Sequence, residues 1–158
     1  MINPLNELRL FLIRSCLKIR FGKRIELGKD FRCRKRFYCL IRKGTVQIGD
    51  HVSFNNDCSI TALNKVTIGS DTLFGEGVKI YDHNHRFRKQ NDLIRLQPIK
   101  KGEVIIGRNC WICSNVVILP GANIGDGCVI GAGCVINGVI PSNTLVKTTQ
   151  NLTFEEIG

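Results

Sequence analysis

Isoleucine recurs at intervals of six residues through the last third of the chain. The positions are Ile106, Ile112, Ile118, Ile124, Ile130 and Ile136. A helix repeats its apolar residues at spacings of three and four, and a half-buried strand at spacings of two, so this period indicates a repeat architecture. Two places before each isoleucine stands a smaller apolar residue: Val104, Cys110, Val116, Ala122, Cys128 and Cys134. Each unit therefore reads as a small apolar residue, a variable residue, a large aliphatic residue and a turn.

The same pattern continues toward the N-terminus with gaps. Its earlier sets are Ile68, Phe74 and Ile80; Ile48, Phe54 and Ile60; and a weaker one of Leu27, Cys33 and Cys39. Sets of three, each about eighteen residues long, predict a triangular coil with three short flat faces, in which residues eighteen apart stack. We expect about five coils with a uniform, close-packed interior, in which Ile106 lies on Ile124 and Ile112 on Ile130.

Over roughly residues 27 to 145 this repeat resembles that of the hexapeptide-repeat acetyltransferases. The resemblance implies an all-β solenoid, a left-handed parallel β-helix, and it alone supplies the hand because periodicity does not reveal it. We divide the chain into a helical segment at 1–23, a β-helix at 24–145 and a C-terminal tail at 146–158.

The N-terminal segment reads as a helix from Pro4 to Arg20, with Asn3 as its cap. Its apolar residues form two neighbouring stripes, which are Leu5, Leu8, Leu12 and Ile19, and Leu10, Ile13 and Leu17. The favoured interpretation is that the helix packs on the open end of the solenoid, where it covers exposed strand edges. The alternative is that it lies on a membrane surface.

The net charge of +10 is concentrated at one end of the chain. Residues 1–43 hold 13 basic and 3 acidic residues, whereas residues 44–158 hold 10 of each. A basic end suits an anionic partner, such as a membrane surface, a lipid-linked acceptor or a charged polysaccharide. The alternative is a solvated end that aids solubility. Nucleic acid is not expected, because the basic stretch carries no recognised nucleic-acid motif.

No recognisable secretion signal is found, which favours a cytoplasmic protein. A peripheral position at the inner face of the membrane is the further option. Arg9 and Arg14 interrupt the first apolar stretch and no small-residue cleavage site follows, which is not typical of a secretion signal. The pair Cys110 and Cys113 lacks the second pair that a structural zinc site needs. The inward repeat positions hold Cys58, Cys110, Cys128 and Cys134, so we expect structural, reduced thiols.

The period stops after Ile80 and resumes near Val104. Between them we expect an extruded loop, about residues 84–102, which begins at a segment with two of the three histidines, His83 and His85. Long loops in compact repeats usually carry function. The alternative is that both histidines are solvated loop residues.

The resemblance gives His85 a role. In galactoside and maltose acetyltransferases the catalytic histidine stands five residues after the same aliphatic position, here Ile80. The pair Asn84-His85, followed by Arg86, also looks like the xenobiotic branch of the family. An imidazole titrates near neutral pH, so it can take the proton of a hydroxyl that attacks a thioester directly.

The resemblance also implies the rest of the site. Asn55 matches an acceptor-binding asparagine, and we add Asp57 and His83 as neighbouring acceptor-binding candidates. The segment from Trp111 to Asn115 looks like the family's Trp-Ile-Gly-Ser, in which the tryptophan lines the acceptor site and the serine N–H faces the thioester. Simple packing at a subunit contact is the alternative for Trp111.

For acetyl-CoA, the resemblance implies contacts from Ser114, Gly131 and Ala132. The family's basic C-terminal residues, which hold the CoA phosphates, are missing here, so we add Arg108, with Lys100 and Lys101 as substitutes. Cys113 replaces the family's usual glycine.

The sequence therefore predicts a homotrimeric O-acetyltransferase that uses acetyl-CoA as co-substrate and needs no metal, with sites shared between neighbouring chains. The expected acceptor is a sugar hydroxyl on a surface polysaccharide, a lipid-linked precursor or a nucleotide sugar. The alternatives are a xenobiotic or amino-sugar N-acetyltransferase and a non-catalytic sugar-binding scaffold. A zinc hydratase on the same fold needs three histidines about the metal, and His51 is coils away from His83 and His85.

Overall fold

The computed structural model describes residues 4–88 and 92–149, which form a parallel β-solenoid behind one N-terminal helix. Face 1 contains β1 (Ile25–Leu27), β4 (Thr45–Ile48), β7 (Lys65–Ile68), β12 (Glu103–Ile106), β15 (Asn123–Ile124) and β18 (Val139–Ile140). Face 2 contains β2 (Arg32–Cys33), β5 (Ser53–Phe54), β8 (Leu73–Phe74), β13 (Trp111–Ile112), β16 (Val129–Ile130) and β19 (Leu145–Val146). Face 3 contains β3 (Tyr38–Ile41), β6 (Ser59–Ala62), β9 (Lys79–Tyr81), β14 (Val117–Ile118) and β17 (Val135–Ile136). We call the turns after faces 1, 2 and 3 the first, second and third corners.

The stacking predicted from the isoleucine period is confirmed. Ile106 pairs with Ile124, Ile112 with Ile130 and Ile118 with Ile136. The weaker first set is confirmed as well, because Leu27, Cys33 and Cys39 pair with Ile48, Phe54 and Ile60. Faces 1 and 2 contain six described strands rather than the expected five or so. The additional coil contains Ile140 and Val146, which pair with Ile124 and Ile130. The turn after Ile136 is shorter than the other turns of the C-terminal repeat, so these two residues do not fit the six-residue period.

The inward positions form one continuous core. All six isoleucines of the C-terminal repeat are buried, and so are the smaller residues two places before them. At the N-terminal end the interior changes from aliphatic to aromatic. The Phe54 and Phe74 rings stack with their centroids 4.1 Å apart, and Phe31 and Phe37 pack against Phe54 at an angle.

The small inward residues do more than fill space. The thiols of Cys58, Cys110 and Cys128 lie 3.1–3.2 Å from the corner carbonyls of the following coil, at Gly75, Gly125 and Pro141. All eight cysteines are free, and Cys58, Cys110, Cys128 and Cys134 are buried as predicted, as are Cys33 and Cys39. At the first three of these positions cysteine therefore supplies a small side chain that also acts as a weak donor.

Each of the first and second corners has one residue in the left-handed backbone conformation. Among residues other than glycine, these are Asp30, Arg36, His51, Asp57, Asp71, Asn109, Asn115 and Asn143. Most are Asn or Asp, the types that tolerate this conformation best after glycine. His51 and Asp57 thus each occupy a turn position that constrains the backbone.

The helix α1 (Pro4–Phe21) packs on the solenoid through one side only. Leu10, Ile13 and Leu17 contact the core, which confirms the packing interpretation for that stripe. Arg9 and Arg14 tie the helix down by donating to the carbonyls of Cys33 (3.0 Å) and Gly28 (3.1 Å). A short 3₁₀ helix (Gly22–Arg24) leads into β1. The described residues include no helix long and apolar enough to cross a membrane.

The expected loop is partly an ordered hairpin. Strand β10 (His83–His85) pairs antiparallel with β11 (Ile99–Lys101), and a 3₁₀ helix (Ile94–Leu96) precedes β11. The coils on either side of this insertion stack directly, since Ile80 pairs with Ile118. The insertion therefore projects from the third corner without interrupting the core.

Candidate active site

A buried carboxylate anchors the hairpin to the coil below it. Asp82 is fully buried, and its side chain accepts hydrogen bonds from the backbone N–H groups of Leu63 (2.8 Å) and Asn64 (2.6 Å). Its carbonyl oxygen accepts the N–H of Gly102 (2.8 Å), where the hairpin returns to the solenoid. Asp82 thus fixes both the departure and the return of the insertion.

Asp82 also orients His83. The Nδ1 atom of His83 lies 2.9 Å from Oδ1 of Asp82, and the imidazole is only 17% exposed. A carboxylate is an acceptor, so Nδ1 carries the proton and, in the neutral ring, Nε2 keeps its lone pair. This is the arrangement of an imidazole held in one orientation by an acidic partner.

His85 is exposed, and its imidazole makes no hydrogen bond within residues 4–88 and 92–149. Its backbone is held locally, because its N–H donates to Oδ1 of Asn84 at 2.9 Å. Side chains alternate along a strand, so His83 and His85 lie on the same side of β10, facing Lys101 and Ile99 of β11. The imidazole of His85 is therefore free to contact a substrate.

A cleft of about 860 Å³ runs along the hairpin beside His85. Its described lining consists of Asn84, His85, Arg86, Phe87, Arg88, Asp92, Gln97, Pro98 and Lys100. Three of these side chains are cationic, so the cleft is electropositive near His85.

The second corner collects most of the remaining candidates. Asn55, Ser114, Gly131 and Ala132 lie at this corner after β5, β13 and β16, which belong to the second, fourth and fifth coils. The N–H of Ser114 donates to no acceptor in the described part of the chain, while its carbonyl accepts the N–H of Gly133 at 3.0 Å. Ser114 is thus held in place with its N–H open, as an oxyanion donor requires.

Gly75 lets the coil of Ser114 approach the coil below it at this corner. A Cβ atom at Gly75 would lie 2.6 Å from the Ser114 nitrogen and 2.9 Å from its Oγ, which is too close for any side chain. Sequence reasoning missed Gly75, because its role depends on which coil stacks above it.

The acceptor candidates Asn55 and Asp57 have local partners. Oδ1 of Asn55 accepts the N–H of Asn56 at 2.9 Å. Both carboxylate oxygens of Asp57 are bound by the guanidinium of Arg36, which lies at the same corner one coil below. This hydrogen bond lowers the pKa of Asp57, so its carboxylate is ionised and already engaged.

Trp111 lies on the outward side of face 2 and is 55% exposed. It stands between Leu73 and Val129 in the register of the sheet, and Leu73 is also exposed. The indole therefore presents an apolar surface outside the core, beside the corner that holds Ser114.

Arg108 is placed elsewhere. It lies at the first corner, where its N–H donates to Oδ1 of Asp126 (2.9 Å) and its Nε lies 3.4 Å from Oδ2. The structure therefore does not bring Arg108 together with Ser114, Gly131 and Ala132.

The histidines are also separated from the second corner. His83 and His85 project from the third corner, whereas Asn55 and Ser114 lie at the second. His51 lies at the first corner, with its Nδ1 3.1 Å from Asp71 and its Nε2 3.6 Å from Asp30. The described residues contain no cluster of His, Cys, Asp or Glu suited to a metal ion.

Comparison with known proteins places this architecture in a family. A family model described as bacterial transferase hexapeptide (six repeats) matches residues 103–138. The chain is 34% identical over 141 residues to WbbJ of Escherichia coli (strain K12). WbbJ is named for an inferred role as a lipopolysaccharide biosynthesis O-acetyl transferase. That match covers 85% of this chain and 69% of WbbJ. The chain belongs to the hexapeptide-repeat acetyltransferases.

This hexapeptide-repeat acetyltransferase is also similar to the galactoside O-acetyltransferase of Escherichia coli (strain K12), with 34% identity over 116 residues, 71% of the chain and 54% of that relative. Among solved structures it resembles a hexapeptide-repeat-containing acetyltransferase from Vibrio cholerae O1 biovar eltor, determined in complex with acetyl coenzyme A. The TM-score is 0.71 at 28% identity, over 85% of this chain and 71% of that chain. The chain is therefore an acyltransferase by family, and it spans between 54% and 71% of the length of these relatives.

Proposed function

We propose that this protein transfers an acetyl group from acetyl-CoA to a sugar hydroxyl, with His85 as the general base. The observation that carries the proposal is the open imidazole of His85, on a hairpin that a buried carboxylate anchors to the solenoid. Support comes from the relatives, one of which is named a galactoside O-acetyltransferase and another of which binds acetyl-CoA.

In the proposed reaction the acceptor oxygen attacks the thioester carbonyl carbon while its proton passes to His85. The N–H of Ser114 donates to the oxygen on which negative charge develops. The carbon–sulfur bond then breaks, and the departing thiolate takes the proton from His85, which returns the enzyme to its starting state. No residue is acylated in this sequence.

The remaining candidates have binding roles in the proposal. Asn55, His83 and Trp111 orient the acceptor, and Gly131 and Ala132 line the pantetheine channel. The Arg36–Asp57 pair lies beside Asn55, so Asp57 acts as part of a pair rather than as a lone carboxylate. Arg108, whose exposed side chain lies beside Asp126, is the candidate for a CoA phosphate.

We infer a homotrimer, which the placement of these residues supports. One chain holds His85 and Ser114 at different corners of its coil, so a site that uses both needs a neighbouring chain. Closed cyclic assemblies of identical subunits provide such shared sites. The free thiols suit a reducing compartment, so we place the reaction in the cytoplasm.

We expect the His85→Ala variant to lose about 10²–10⁴-fold in kcat, because the acceptor proton would have no base. Release of CoA is measured against a panel of neutral sugars, amino sugars and nucleotide sugars. His51→Ala is the matched control, since His51 is exposed at another corner. Full activity of the folded His85→Ala variant would refute the assignment of His85 as the base. Acetyl transfer to amines alone would refute the hydroxyl acceptor and indicate an amino sugar instead.

An anionic saccharide is the acceptor class that the charges favour. Arg34, Lys35 and Arg36 form the second corner of the first coil, next to Asn55 on the second, and Arg32 precedes them. Replacing Arg32, Arg34 and Lys35 with glutamine is expected to raise KM several-fold for an anionic acceptor and to leave a neutral sugar unaffected. An equal loss on both acceptors would contradict this part of the proposal.

A further inference from the structure

The helix α1 has a second apolar side that the solenoid does not cover. Leu5 is 73% exposed, Leu8 57%, Leu12 57% and Ile19 85%. At 3.6 residues per turn these side chains point away from Leu10, Ile13 and Leu17, which contact the core. We call this group the outward face (Leu5, Leu8, Leu12 and Ile19). A helix that is apolar on two opposite sides needs a second surface to contact.

Exposed cations lie at the C-terminal end of α1 and in the adjoining first coil. Lys18 and Arg20 are exposed in the last turn of α1, and Lys23 follows in the 3₁₀ helix. The first coil adds Arg32, Arg34 and Lys35, all exposed. The only acidic side chain of α1 is Glu7, in its first turn. An apolar strip with a cationic border fits a surface that is apolar inside and anionic at its boundary.

A second copy of the chain fits this surface poorly. Residues 1–43 already contain the whole excess of positive charge, and two such ends would repel each other on contact. A layer of anionic lipid offers the opposite charge together with an apolar interior.

We propose that the outward face of α1 binds the surface of a membrane that contains anionic lipid, with the helix lying in the plane of the interface. Leu8, Leu12 and Ile19 enter the acyl boundary, while Lys18 and Arg20 contact headgroup phosphates. The binding does not depend on acyl transfer. If the proposed function holds, Asn55 on the second coil lies near the membrane end of the solenoid, which suits a lipid-linked acceptor.

Cosedimentation of the full-length protein with vesicles tests the proposal. We expect binding to phosphatidylcholine vesicles that contain about one part in four phosphatidylglycerol, weak binding to pure phosphatidylcholine, and a decline as salt rises. Leu8→Ser/Leu12→Ser is expected to reduce binding at least about ten-fold, because less apolar area enters the interface. Lys18→Gln/Arg20→Gln is expected to reduce it about ten-fold at low salt.

Val139→Ser is the matched control, because Val139 is 73% exposed but lies on the last coil of face 1. It should bind vesicles as the unmodified protein does. All variants are checked for helix content by circular dichroism and for mass by light scattering. Unchanged vesicle binding by the folded Leu8→Ser/Leu12→Ser variant would overturn the proposal. A change in the oligomeric state of this variant would also overturn it, because the outward face would then be a subunit contact. Activity on a soluble sugar is expected to stay unchanged, so the two proposals fail separately.

Discussion

At the scale of single residues, Asp82 shows what periodicity reveals and what it hides. It lies two places after Ile80, and the equivalent residues after Cys39 and Ile60 are the buried Ile41 and Ala62. A charge in an inward phase is a signal that sequence reasoning can use, since a buried carboxylate needs several partners. Those partners, at Leu63 and Asn64, depend on the fold and could not be read from the sequence.

The candidate site was predictable in part. The interruption of the period located His85 at the point where the chain leaves the coil, and the structure places it there. The contact of Arg36 with Asp57 was not predictable, because it depends on the turn lengths that stack the first coil on the second. The chemical roles of these residues remain predictions.

The Ser114 N–H offers a sharp test at this scale. Ser114 precedes Asn115, whose backbone is left-handed, so it occupies the turn position that proline favours. We expect Ser114→Pro to keep the fold and to lose about 10²–10³-fold in kcat, because the oxyanion would lose its donor. Steady-state kinetics and thermal unfolding measure the two effects.

The control for this change is Ser142→Pro. Ser142 precedes Asn143, which has the same left-handed backbone, but it lies at the first corner of the last coil, where its Oγ accepts the N–H of Asp126 at 3.1 Å. Its kcat should stay within about two-fold of the unmodified protein. If Ser114→Pro is folded and fully active, the oxyanion is stabilised by some other group.

At the scale of elements, the period predicted the faces and their stacking because each inward position repeats one physical requirement. The additional coil escaped prediction, since the turn after Ile136 is shorter and shifts Ile140 out of phase. The hairpin could not be predicted, because β10 and β11 bury little apolar surface and their sequences therefore show no alternation of apolar and polar residues. For α1, sequence reasoning found both stripes but could not tell which one the solenoid would cover.

The first coil should lose stability at alkaline pH. Burial raises the pKa of the Cys33 thiol from 9.0 to about 11 and that of Cys39 from 9.0 to about 12. The folded state therefore binds these protons more tightly than the unfolded state does. Their contribution to stability is complete below pH 9.0 and is lost as the pH rises through the folded pKa values.

Urea unfolding at pH 8 and at about pH 10.5 measures this loss. We expect the free energy of unfolding to fall between these values, and to fall less in Cys33→Ala/Cys39→Ala. Cys16→Ser is the control, since Cys16 is exposed on α1 and should leave the pH dependence unchanged. The same fall in the double variant and the unmodified protein would show that other groups cause it.

At the scale of the whole molecule, the separation of His85 and Ser114 predicts complementation between inactive chains. Mixed and reassociated, His85→Ala and Ser114→Pro subunits should recover about a quarter of the normal activity if each site takes His85 and Ser114 from neighbouring chains. Each variant alone should remain inactive after the same treatment. No recovery, with subunit exchange confirmed by a tag on one variant, would mean that both residues act within one chain.

The hairpin that projects from the third corner also bears on how such proteins diversify. Because Ile80 pairs with Ile118 across it, the strands on both sides are joined whatever lies between them. Doubling the length of such a loop costs only about 0.6 kcal/mol in closure entropy. The part of the chain that carries the proposed base can thus be exchanged or lengthened while the coils around it keep the same stacking. Specificity and stability can therefore evolve on separate segments.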